Sequence, residues 1–442
     1  MFISVKKQAL VVKVLQEVAV AATKQRSPKD IATLLATASC ALTAGISSNA
    51  NAGENWDVDS ALMVYSESDS RVSAIEPVLE LKRKYDSETA LTTKIVGDTL
   101  TGASPNGATP SDSTQTFSSP SGNGTYDVPP NTTPLDDTFR DTRGAFSINW
   151  NAPAGRDWAY SIGSHLSAEH DYQSVGINGS LSRYLNNKNT TLTLGLSASN
   201  DTINPEGGVP TGLSTINSAR EKSDDSKSLT DALFGVTQVI NRRTLMQFNY
   251  GVSQSSGYQT DPYKFLSVID VNTGGNYQIA GENQYLFEKR PDSRLKQTVY
   301  WQTKYQLTNN DILDLSYRYM WDDWGVTSHT LETKYRFRFD HQYLEPQLRL
   351  YQQSAADFYQ RYLTSNNYLS QDYASADYRL GDMTTYTLGL KYGYQFENSS
   401  EAYGKIALYH QDSTGNKGFG KLTSQDLYPS MDAIMVTLGY RF

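Results

Sequence analysis

From Ala433 to the last residue the chain alternates without a break. Ile434, Val436, Leu438, Tyr440 and Phe442 fall on one side, and Ala433, Met435, Thr437, Gly439 and Arg441 on the other. Such a period of two marks a strand with one apolar face and one small or polar face. The same alternation recurs upstream and predicts about sixteen strands. They run over 56–67, 71–83, 86–100, 140–151, 157–170, 172–186, 189–201, 229–241, 243–256, 294–307, 311–321, 326–339, 341–354, 382–397, 400–411 and 431–442. Each can cross a bilayer when tilted, for which about 9–11 residues suffice.

The connections are of two kinds. Arg83–Tyr85, Ala152–Arg156, Asn187–Lys188, Arg242, Thr308–Asn310, Asp340 and Asn398–Ser399 are brief and polar, whereas 101–139, 202–228, 257–293, 355–381 and 412–430 are long. Counted from a periplasmic amino-terminus, every long connection falls on the outer side and every turn named here on the inner side. A single miscounted strand would put a long loop on the wrong side. The pattern therefore predicts an all-β protein, a transmembrane antiparallel β-barrel with short periplasmic turns and long extracellular loops, placed in the bacterial outer membrane. Leu438, Tyr440 and Phe442, closing on an aromatic, resemble the signal read by the barrel-assembly machinery. That machinery and outer-membrane lipid are the expected partners.

Composition fits this picture. Mean hydropathy is −0.53, and no apolar run reaches the ~18–20 residues of a spanning helix. Alternating lipid-facing and lumen-facing residues average hydropathy away. Tyr is conspicuous at 30 copies, as expected for aromatic girdles at the two interfaces. A net charge of −8 leaves no basic footprint for nucleic acid.

The only cysteine, Cys40, lies in a leader-like segment. Lys24, Arg26 and Lys29 precede an apolar run from Ile31 to Ala44, and Ala50-Asn51-Ala52 offers a small-residue cleavage site before Gly53. The expected organisation is a leader over 1–52 and a barrel over 53–442. A mature chain without cysteine has no disulfides and no thiolate metal site. Its first strand begins so soon after Gly53 that no room is left for a plug domain, against a large gated transporter.

Several strings carry a resemblance. They are TGASPNGATPSDS (Thr101 to Ser113), the segment from Pro134 to Arg143 that ends in DTFRDTR, SALMVYSESDSRVSAIEP (Ser60 to Pro77) and SADYRLGD (Ser375 to Asp382). Together they resemble the proteobacterial outer-membrane family called domain of unknown function 3570. The resemblance spans about residues 53 to 442. It implies an outer-membrane barrel without an established activity or site residues. By association it also suggests an envelope redox or maturation context with a small lipoprotein or periplasmic protein as partner.

Assigning faces gives a lumen inventory. The late strands place Lys296, Lys304, Asp314, Arg318, Glu332, Lys334, Arg336, Arg338, Glu345, Arg349, Lys391, Lys405 and Arg441 inside. Strands 1 to 3 contribute Asp59, Glu67, Glu76, Glu80 and Asp98 against Lys82 and Lys94, while strands 5 to 7 offer mostly Ser, Gly, Asn and Thr. A basic wall facing an acidic one would set ion preference in a pore. The plainer alternative is that these charges pair across strands and fill a stable polar interior.

The expected function is accordingly a non-enzymatic pore with a charged lumen. The alternative is an occluded barrel serving as sleeve or anchor for an envelope complex. His165, Ser167 and Glu169 share a strand face, but same-face neighbours at period two lie ~7 Å apart, too far for a nucleophile–base pair. The histidines 165, 170, 329, 341 and 410 lack metal-ligand spacing, though His165 and His170 sit near Glu169 and Asp171 at a rim. No catalytic residue, metal or cofactor is expected. Loop 355–381 holds Phe358, Tyr359, Tyr362, Tyr368, Tyr373 and Tyr378 with Asp357, Asp372 and Asp377. Sugar stacking, a partner or Ca²⁺ are open to it, and a self-packed cap over the mouth is the favoured reading.

Overall fold

The computed structural model describes residues 55–69, 71–119, 124–220 and 222–442. The leader expected over 1–52 lies outside them. Sixteen strands close into one barrel: β1 (Trp56–Glu67), β2 (Ser73–Lys84), β3 (Ala90–Thr101), β4 (Arg140–Pro153), β5 (Trp158–Ala168), β6 (Tyr172–Leu185), β7 (Thr190–Ile203), β8 (Asp225–Asn241), β9 (Thr244–Gly257), β10 (Ser293–Gln306), β11 (Ile312–Asp322), β12 (Thr327–Phe339), β13 (Gln342–Gln353), β14 (Asp382–Gln395), β15 (Glu401–Thr414) and β16 (Met431–Arg441). Each pairs antiparallel with its neighbour in sequence. The seam is closed by β16 on β1, from Asp59↔Arg441 to Glu67↔Ala433. At its end Val58 and Phe442 exchange backbone hydrogen bonds of 2.7 and 2.9 Å.

Strand ends move where local chemistry outweighs alternation. β3 starts at Ala90 rather than 86, because the Asp86 carboxylate accepts the N–H groups of Glu88 (2.8 Å) and Thr89 (2.7 Å) and holds a turn. β8 starts at Asp225 rather than 229. Its polar first residues have no apolar pattern, yet register draws them into the ladder, Asp225 opposite Ile203. At the short-turn end Asn310, Asp340 and Ser399 take positive φ, which Asn and Asp tolerate best.

Outward residues form a continuous apolar belt. Ile177 is 65% exposed, Leu388 and Leu438 61% each, far more apolar surface than a soluble protein leaves in one band. Rings line its lower edge, where Arg83 lies over Trp56 and Tyr85, and Arg183 over Trp158. An upper girdle holds Tyr319 stacked on Trp321 and two of the histidines, His329 on Tyr317 and His410 on Tyr386. Lipid is the solvent this surface is built for.

The long loops form a second body with its own core. A small sheet joins Tyr285–Phe287, Phe265–Ile269 and Leu363–Thr364. Leu266, Val268, Ile269 and Leu363 in it are wholly buried. Phe117 of the first long loop packs on Phe265 and Tyr285, and Ile269 packs on Leu422 and Leu427 of the last.

Candidate functional site

The inner face is built by the same alternation that makes the belt. In β12 the outward residues Leu331, Phe337 and Phe339 leave Glu332, Lys334, Arg336 and Arg338 inward. In β13 Leu348 and Leu350 leave Glu345 and Arg349 inward. Register sets the cross-strand partners of these groups, and most acids on this wall meet a cation.

Near the short-turn end the pairs join into a belt. Arg441 Nη2 reaches Asp59 at 2.5 Å across the seam. Glu401 accepts from the Tyr343 hydroxyl at 2.6 Å and lies 4.0 Å from Lys391 Nζ. Arg336 donates to Glu345 at 2.6 Å and lies 4.2 Å over the Tyr343 ring. Lys334 pairs with Glu332, and Lys304 lies 3.3 Å from Asp314. Two glycines make room for the rings: a Cβ at Gly393 would collide with Tyr343, and one at Gly439 with Tyr403.

The acidic face of β1–β3 is partly neutralised from a direction the sequence inventory lacked. Arg143 of β4 donates to Asp98 at 2.7 Å and lies 3.9 Å from Glu76. Its place at the end of the polar string from Pro134 hid it at a strand end. Glu67 is taken by Arg71 at 3.1 Å, while Glu80 lies opposite both Asp59 and Lys94 in register.

Some cations of the late wall have no ion-pair partner among the described residues: Lys296, Arg318, Arg338, Arg349 and Lys405. Lys405 even stands directly opposite Lys391, an arrangement that costs stability. All the inward acids of this wall are paired, so its surplus is positive.

Above the wall, the cap holds a buried ionic network. Asp377 accepts from Arg290 (2.8 Å) and Arg379 (2.6 Å), Arg290 lies 2.7 Å from Glu288, and Arg379 reaches Asp261 at 2.8 Å. Burial works against the Asp377 carboxylate, but Arg379, Lys264 and Arg290 outweigh it and hold its pKa below the ordinary range. Arg361 donates to carbonyls of Leu427 (2.8 Å), Gly107 (2.7 Å) and Ala108 (3.1 Å), tying three loops together. The 3₁₀ turn Tyr378–Leu380 reaches two places at the loop end of the barrel. Its Tyr378 ring lies 5.3 Å from Arg71, above β1 and β2, while Asp377, Arg379 and Leu380 border a cavity on β8–β11. Asp377 of loop 355–381 thus serves the cap, and two rings of this loop turn onto other loops, Tyr362 on Phe419 and Tyr368 on Tyr277.

At the outer rim Asp141, Glu169 and Asp171 bring carboxylate oxygens within 4.8 Å of one another. Asp141 was no part of the rim group read from the sequence, and His165 instead lies against Gly176 on the inner face. Burial, and then Asp141, push the Glu169 pKa up to about 7.

The family described as protein of unknown function, DUF3570, matches residues 32–442. The chain belongs to the DUF3570 family. No curated protein matches it. Among solved structures, a bacterial polysaccharide outer membrane secretin has 8% identity and a TM-score of 0.43, covering 88% of this chain and 98% of the other. OccK2 (OpdF) of Pseudomonas aeruginosa has 8% identity and a TM-score of 0.38, covering 88% and 97%. The siderophore receptor PirA of Acinetobacter baumannii has 8% identity and a TM-score of 0.40, covering 82% of this chain and 53% of the receptor. At such values the likeness carries nothing about what the DUF3570 protein transports or binds. Two of the strings that announced the family, Thr101–Ser113 and Ser375–Asp382, fold into the cap, where Thr109 donates its N–H to Ser267 (2.9 Å) and Ser375 its hydroxyl to Glu288 (2.5 Å).

Proposed function

We propose that this DUF3570 protein is an outer-membrane channel whose lumen favours anions and whose mouth is narrowed by the folded-in loop 355–381. The observation that carries the reading is the imbalance on the late wall. Its inward acids are each paired with a cation, whereas Lys296, Arg318, Arg349 and Lys405 have no ion-pair partner among the described residues. Unpaired charge is costly in a dry, filled interior and cheap where water and mobile ions can reach it. A stable barrel that keeps several such cations on one wall is best explained by an aqueous lumen, where fixed charge sets ion preference.

The test is purified protein in planar bilayers under a salt gradient. Stepwise conductance with a reversal potential on the anion side supports the channel, and Arg349→Glu with Lys405→Glu should move that potential toward cations. A silent bilayer from correctly folded protein overturns it. The second reading, an occluded sleeve for an envelope partner, draws support from the buried core of the cap. It forecasts no conductance and copurification with a lipoprotein or periplasmic protein.

A further inference from the structure

Beneath the cap lies a cavity of about 630 Å³, within the range of about 300–1,000 Å³ typical of small-molecule sites. Its walls come from two bodies. Asp231 and Leu233 of β8, Lys296 of β10 and Arg318 and Met320 of β11 rise from the barrel, and Arg290, Asp377, Arg379 and Leu380 descend from the loops. Most of these charges are spoken for. Arg290 and Arg379 hold Asp377, Arg294 is paired with Asp322, and Asp231 accepts from Ser197 at 2.8 Å. Lys296 and Arg318 remain, facing the same space from two heights of the wall: Lys296 opposite Asp322, Arg318 opposite Tyr300. Neither has an ion-pair partner among the described residues. Leu233, Met320 and Leu380 supply apolar surface in the same cavity, with Met320 packed on the Trp324 and Phe358 cluster.

We infer that this cavity binds an organic anion, a carboxylate carrying an apolar body, with Lys296 and Arg318 receiving the charge and Leu233, Met320 and Leu380 the body. The inference deepens the channel reading and rests on its water-filled lumen. The cap makes the site a chamber: the ligand enters past the 3₁₀ turn Tyr378–Leu380 and meets fixed positive charge before the ion pairs nearer the short turns. Charge-assisted hydrogen bonds from a guanidinium or ammonium are the strong ones, and a small inorganic ion would leave the apolar side unused.

Calorimetry on the purified full-length protein in detergent decides it, with benzoate as probe and benzamide, its uncharged counterpart of similar shape, as comparison. Saturable benzoate binding with benzamide weaker by about tenfold or more supports the site, since ionised partners add most to a buried hydrogen bond. Replacing both cations, Lys296→Gln with Arg318→Gln, should weaken benzoate by a further factor of about ten. Lys82→Gln, outside the cavity, should leave it unchanged. Equal binding of benzoate and benzamide, no saturable binding, or unaltered affinity in the double variant overturns the proposal. The wild-type comparison stands even if the double variant does not fold. Binding without bilayer conductance would keep the chamber and remove the channel, and conductance without binding would do the reverse.

Discussion

The barrel wall and the loop cap solve opposite solvent problems with the same chain. The wall hides its backbone in a closed ladder and turns Ile177, Leu388 and Leu438 outward, where only lipid covers them. The cap does what a soluble domain does: Leu266, Val268 and Leu363 are fully buried, and its buried charges are hydrogen-bonded, several of them in ion pairs. Asp377, Arg379, Arg290 and Glu288 form such a set. The two bodies should therefore fail separately, under different insults. Water-soluble cores respond to a broken ion pair, lipid-facing belts to a buried charge.

The largest expected effect is in the cap. Asp377→Ala strands Arg290 and Arg379 without their shared carboxylate, a loss of about 3–5 kcal/mol for a buried network. Limited proteolysis should cut loops 258–292 and 354–381 while the barrel keeps its heat-modifiable gel mobility. Simultaneous loss of both would show that wall and cap are one cooperative unit. Acid should act in the same direction. A carboxyl with depressed folded pKa stabilises above its unfolded value, near 3.9, and that stability is lost as pH falls through the folded value. Loop protection should thus persist from neutrality to about pH 4 and fade below.

On the wall, Leu388→Arg puts a charge into the middle of the belt, at a cost of about 2–4 kcal/mol. Folding yield into vesicles should drop while loop packing in the molecules that do fold is intact. A comparable but smaller loss is expected for Arg336→Glu, which sets two acids against each other at Glu345 and removes the cation over Tyr343; urea titration of vesicle-folded barrel measures it. Arg349→Glu and Lys405→Glu touch unpaired groups, so stability should move by less than about 1 kcal/mol while reversal potential shifts. A large loss of stability there would mean the lumen is dry.

The smallest effect is at the rim. Glu169 has a folded pKa of about 7, raised above its unfolded value. Its charge therefore opposes folding, and stability is gained as pH falls through about 7. Glu169→Gln should stabilise at pH 8 by on the order of 1 kcal/mol after screening and do little at pH 5. Thermal unfolding at the two pH values reads the difference.

What was legible follows the same division. Period-two alternation identified all sixteen wall strands, because lipid on one side and lumen on the other impose a face on every residue, and Ser, Gly and Asn on β5–β7 reveal theirs as plainly as Arg and Glu on β12. Where turn chemistry intervened, as at Asp86, the boundary was lost. Arg143 was missed because it lies among the polar residues that open β4, where no apolar alternation reveals a face.

The sequence by itself determined the barrel, its strand count and which end bears the long loops. Each of these depends on neighbours two residues apart or on loop length, both written locally. Only the tertiary structure decided which charges are paired, that the five long loops pack against one another, that Tyr378–Leu380 reaches both Arg71 and the cavity on β8–β11, and that this cavity exists. Those outcomes depend on contacts such as Arg361 with Gly107 and Arg379 with Asp261, between segments whose meeting no periodicity encodes. Closure of the seam at Asp59 and Arg441 brings the two ends of the ladder together and so sets which walls, and which loops, become neighbours.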